Sequence, residues 1–114
     1  MIVDLVVLSD SLVMPTSIRA FLTMHIEHAI VRSQVVELVY QDVDGAVTRR
    51  CVEPCGIREG SAGERLLAWC RERDDVRAFR IDRVRGLRLM AEHFNPFRPR
   101  YEDRQAPAQV VAAL

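Results

Sequence analysis

The 114-residue sequence contains no lysine; all sixteen of its basic side chains are arginine, and sixteen acids cancel them to a formal net charge of zero. A chain without net charge has no global field to draw it to nucleic acid. Codon usage in a GC-rich genome accounts for the missing lysine more simply than a need for a guanidinium fork at every position. Cysteine is sparse: Cys51, Cys55 and Cys70 are odd in number and follow no framework spacing. That argues against a disulfide scaffold and for a reducing, cytoplasmic setting. Long hydrophobic runs are missing too. The first apolar stretch, residues 2–8, is too short for a bilayer, contains Asp4, and lacks the basic start and cleavage site of a signal peptide. Neither export nor a membrane span is expected.

Catalytic and metal-binding sets are lacking as well. No Ser, His and Asp set, paired carboxylate cluster or phosphate-cradling glycine loop can be assembled, so an enzyme is not expected. His93 stands alone at the end of the last strand. Cys70 lies beside Arg71 in a hydrophobic strand, which buries an inert thiol more often than it activates one. His25 and His28 are three apart, with no further ligand at metal spacing, and Cys51 and Cys55 have no second pair. No metal and no cofactor are expected.

What the chain does have is arginine concentrated in one half. Residues 1–48 hold two Arg against six acids, whereas residues 49–100 hold thirteen against eight, so a local positive face is expected despite overall neutrality. Its densest part is Arg77-Ala78-Phe79-Arg80-Ile81-Asp82-Arg83, which alternates as a strand does. Three guanidinium forks around an aromatic ring describe either an exposed sheet edge or a surface that holds an anion.

The remaining elements follow from periodicity. Residues 2–8 read as a short strand or sticky arm, packed on its own domain or on a second copy. Pro15-Thr16-Ser17 opens a helix running to about Ser33, with Ile18, Phe21, Leu22, His25, Ile26, Ala29 and Ile30 as its core stripe. Strands are expected at 35–41, at 46–53 after an Asp44-Gly45 hairpin turn and ending at Pro54, at 66–70, at 77–83 and at 87–91. One N-terminal helix followed by five short antiparallel strands makes a mainly β domain whose sheet, at this size, tends to close as a barrel. The sequence divides into an arm or strand at 1–15, a domain at 16–94 and a mobile tail at 95–114.

Two blocks carry a resemblance. Arg50-Cys51-Val52-Glu53-Pro54 and Arg77-Ala78-Phe79-Arg80-Ile81-Asp82-Arg83, with Ala29-Ile30 on the leading helix and Tyr40 ending a strand, resemble the bacterial WYL-domain family from about residue 26 to 94. The resemblance implies an Sm-like or SH3-like barrel. It also implies a regulatory, ligand-sensing module whose basic groove takes single-stranded nucleic acid or a nucleotide-like anion, linked to transcriptional regulation. The tripeptide that names the family falls at Glu64-Arg65-Leu66, so its Trp and Tyr are missing. One helix before Val35 cannot form a helix-turn-helix, so the chain resembles a free-standing member working beside a DNA-binding regulator.

Carried over by position, Arg50, Arg77 and Arg83 match family arginines and Tyr40 and Phe79 its aromatic positions; these five form the expected ligand site. Arg80, Arg85 and Arg88 are expected to be solvated. The opposing reading has Asp82 pairing with Arg83 and Glu53 with Arg50 to lock turns, with Phe79 and Tyr40 in the core. A third possibility is a protein–protein interaction or homodimerisation module without a nucleic-acid ligand.

Overall fold

The computed structural model describes residues 4–6, 16–61 and 63–97. Most of the arm at 1–15, and the tail at 95–114 beyond residue 97, lie outside the described residues. The elements in chain order are β1 (Asp4–Val6), α1 (Thr16–Arg32), β2 (Gln34–Gln41), β3 (Val47–Gly60), β4 (Gly63–Cys70), β5 (Asp75–Arg80), a 3-10 turn (Ile81–Arg83) and β6 (Val84–His93). The strands form one antiparallel sheet in the order β1-β6-β2-β3-β4-β5.

Helix α1 lies on one face of this sheet. Leu22, Ile26 and Ala29 recur at four and three residues, and all three are fully buried against Val36, Leu38, Val52, Leu66, Ala68, Phe79 and Leu89. Ile18 and Ile30 flank that stripe half-buried. Phe21 and His25, expected within the stripe, sit at its solvent edge with their rings stacked 4.2 Å apart. Truncating Ile26 to Ala at the centre of this contact should cost about 3 kcal/mol, because its neighbours on the sheet cannot close the gap.

Four expectations are corrected. The sheet does not close into a barrel. β6 is paired on both sides, with β2 and with β1, so it offers no free edge to β5. The hairpin after β2 is longer than a two-residue turn. Asp42 N–H donates to Ala46 O at 2.9 Å, and Asp42 Oδ1 accepts from the N–H groups of Asp44 and Ala46, each at 3.0 Å. That leaves Val43, Asp44 and Gly45 as the loop, with Gly45 taking the left-handed conformation (φ 87°) that closes a three-residue hairpin. Nor does Pro54 end its strand. The ladder from β3 to β2 stops at Val36 and Val52, so beyond it β3 is paired only with β4, where Pro54 stands opposite Ala68 and a bulge follows at Cys55.

The 77–83 block is corrected in the same way. It is a strand only to Arg80, and Ile81 turns the chain. Phe79, Ile81 and Val84 are all buried, and the step from two residues to three marks the change from strand to 3-10 turn.

Candidate functional site: an arginine-rich rim

The register of β3, β4 and β5 decides where each arginine goes. Pairing of Val52 with Cys70, and of Cys70 with Asp75, puts Arg50 and Arg77 on the same face of the sheet but on opposite sides of that row. From strand and residue spacings, their Cα atoms are at most roughly 17 Å apart. Arg50 is half-buried; its Nε donates to Thr48 Oγ1 at 3.1 Å and its Nη1 lies 3.7 Å from Cys70 Sγ. Arg77 is exposed on β5, the outer strand of the sheet, and its side chain makes no hydrogen bond or ion pair among the described residues.

The two predicted aromatics are not surface platforms. Phe79 is only 4% exposed and Tyr40 meets it edge-on, the ring centroids 5.2 Å apart. Tyr40 Oη accepts the Arg80 N–H at 3.0 Å. This tyrosine therefore ties β2 to the end of β5 across the place where no strand ladder runs.

The 3-10 turn gathers the other arginines into locks. Arg80 forks onto Asp82 through Nε at 3.1 Å and Nη2 at 2.8 Å, which raises the Arg80 pKa chiefly through that hydrogen bond. Arg83 Nη1 donates to the Asp42 carbonyl at 3.3 Å, and Arg85 donates to Gln41 Oε1 at 2.9 Å and to the Asp82 carbonyl at 3.2 Å. Asp82 thus pairs with Arg80 rather than Arg83. Glu53 likewise pairs with Arg71 rather than Arg50. Both are changes of partner that strand spacing alone could not resolve, since a guanidinium reaches across two or three positions.

Nearby, Glu72 caps the backbone of β3, its carboxylate accepting the Cys51 N–H at 2.9 and 3.1 Å. Burial pushes the Cys51 thiol above its ordinary pKa; the Arg71 charge opposes that shift. The thiol chemistry on this side is accordingly quiet.

Sequence reasoning missed the most unusual charge arrangement. Arg58 on β3 is directly opposite Arg65 on β4, and Arg65 is directly opposite Arg80 on β5. Three arginines therefore stand in one row across three strands. Like charges placed directly across a ladder destabilise it, and among the described residues Arg58 and Arg65 have no carboxylate partner. The signal lay in the register: a two-residue turn between Gly60 and Gly63 folds the hairpin so that Arg58 meets Arg65.

Comparison with known proteins bears on this arrangement. Residues 22–89, more than half of the chain, match the family described as the WYL domain. The chain belongs to the WYL domain family. This WYL domain is also similar to a solved structure, that of proteasome accessory factor B/C (PafBC) of Arthrobacter aurescens, with 25% identity and a TM-score of 0.66. The match covers 79% of this chain and 14% of that one, so the chain spans a small part of PafBC's length. No curated protein matches it. Among the described residues, no helix is long and apolar enough to cross a membrane. Within this WYL domain, the position expected to carry the family's Tyr is held by Arg65, the middle member of the arginine row.

Proposed function

We propose that this WYL domain is a regulatory, ligand-sensing module linked to transcriptional regulation, and that its ligand is single-stranded nucleic acid lying along the β5 rim. The row Arg58, Arg65 and Arg80 carries the reading: a polyanion laid across it turns a repulsion built into the ladder into attraction. Arg77 extends the same rim. Because β5 is the outer strand, side chains from both of its faces border the sheet's edge, so Arg77 can reach the phosphates of a strand lying on Arg58 and Arg65, while Arg80 stays tied to Asp82. Arg50 and Arg83, each held by long contacts, add positive potential behind the rim.

With Tyr40 and Phe79 turned inward, recognition rests on phosphates rather than on base stacking, and little sequence preference is expected. The DNA-binding function belongs to a regulator partner or to further chain. Fluorescence anisotropy of a labelled oligonucleotide tests the proposal. Neutralising three or four phosphates should give a slope of roughly −2 to −3 for log affinity against log salt, and Arg58→Ala with Arg65→Ala should flatten it. Salt-independent binding, or none, would sink the reading. The alternative is a dimerisation module, favoured by the same β5 edge, which is unpaired among the described residues. Mass in solution separates the two.

A further inference from the structure

We propose that the domain carries a second ligand site, for a small planar organic anion bearing an N–H or O–H donor, in the groove between α1 and β6. The groove has a volume of ≈ 460 Å³, within the range of pockets that hold small molecules. All three histidines of the sequence line it, His25 and His28 from α1 and His93 from β6, together with Arg32. Met24, Leu89 and Ala91 supply the apolar walls.

Gln34 is the independent sign that something polar belongs there. This side chain lines the groove while remaining only 4% exposed, and its Nε2 donates to the Met90 carbonyl at 2.7 Å. Its Oε1 is buried and has no hydrogen-bond partner. A buried amide oxygen left unpaired is a net cost to the fold, and a turn of the side chain that brings it to a ligand N–H or O–H in the groove would remove that cost.

Charge sets the other end of the ligand. No carboxylate lines the groove, and Arg32 has no ion-pair partner among the described residues. The His25 ring is held in place: its Nδ1–H donates to the Phe21 carbonyl at 2.9 Å, and it stacks on the Phe21 ring. The imidazoles do not converge as metal ligands do, since no His, Cys, Asp and Glu group among the described residues could hold an ion. A carboxylate or phosphate at Arg32 and the imidazoles, a ring between Met24 and Ala91, and a donor to Gln34 Oε1 fill every feature. The groove is lined from α1, β6 and the first residue of β2, whereas the arginine row lies on β3, β4 and β5, so the two sites share no residue.

The test is a side-chain NMR titration of the full chain with two probes, 4-hydroxybenzoate and adenosine 5′-monophosphate, and with benzoate as the comparator lacking a donor. At least one probe should shift the His25, His28 and His93 imidazole signals together with the Gln34 side-chain amide. The probe that does so tells a carboxylate ligand from a phosphate one. Arg32→Gln, an exposed change that leaves the core untouched, should weaken that probe about tenfold, the effect of one charge-assisted contact near solvent. Gln34→Met should do the same if it folds, and Arg32→Gln carries the test if it does not. Should neither probe move these signals, should Arg32→Gln bind unchanged, or should benzoate bind as well as 4-hydroxybenzoate, the site is refuted. Oligonucleotide binding at the rim is scored separately and should be indifferent to Arg32→Gln.

Discussion

Arg71 reaches from the end of β4 to Glu53, placing Nε 3.0 Å from a carboxylate that is wholly buried, and turns its two other nitrogens outward onto Glu92 at 3.2 and 2.8 Å. One side chain thus joins β3 to β6 beyond the reach of their ladders. Removing the guanidinium leaves a buried charge short of its counter-ion, whereas losing the exposed partner does not. Arg71→Met should therefore lower stability by about 3 kcal/mol in urea titration, the low end for such losses because Arg71 is itself 31% exposed. Glu92→Gln should move the urea midpoint far less.

Acid should erase the outer half of that link first. Hydrogen bonds from Arg71, then its charge, hold the Glu92 carboxyl below its ordinary 4.5. A folded pKa below the unfolded one gives a contribution that is complete above the unfolded value and lost as pH falls through the folded one. The gap in melting temperature between wild type and Glu92→Gln should accordingly be constant at neutral pH and shrink to nothing below pH 4.5. A gap that widens on acidification would contradict the pairing.

Tyr40 is one of the expected ligand residues, and its hydroxyl accepts the Arg80 N–H. Tyr40→Phe keeps the edge-on contact with Phe79 but strips the Arg80 N–H of its acceptor. A loss of roughly 1–2 kcal/mol is expected, read from thermal or urea unfolding, with oligonucleotide affinity unchanged wherever the variant is folded. A drop in affinity without a drop in stability would return Tyr40 to the ligand site.

At the rim, Arg77→Ala should weaken oligonucleotide binding by roughly one to two orders of magnitude, since a charge-assisted contact contributes about 1.5–3 kcal/mol. Arg19→Ala and Arg32→Ala on α1 should do little. Each variant's thermal transition, measured beside its anisotropy curve, separates loss of fold from loss of binding. Unchanged affinity in folded Arg77→Ala would show the block to be purely architectural.

Local chemistry made much of this legible in advance. The 3.6-residue recurrence of Leu22, Ile26 and Ala29 located the helix and its buried stripe, a β-branched run located β2, and a continuous apolar run located the second half of β4. Long-range pairing was not legible. Nothing in residues 2–8 says that β1 will take the outer edge of β6 and leave the sheet open, and nothing in an Arg-rich strand says which acid it will meet. Register hid the row Arg58, Arg65 and Arg80, because three arginines scattered over more than twenty positions become neighbours only after two hairpins have formed.

The position of β6 has a consequence for how the domain is made. Its last strand in sequence is an inner strand in space, paired along its length with β2, which follows the helix directly. Until His93 has left the ribosome, β2 has an open flank and α1 lacks the Leu87 and Leu89 portion of its floor. Contacts of such sequence separation form late and slowly. Folding should therefore wait until residue 93 has emerged and then be all-or-none. Nascent chains arrested before residue 84 should be cut readily by protease, and those extended well past residue 93 should resist.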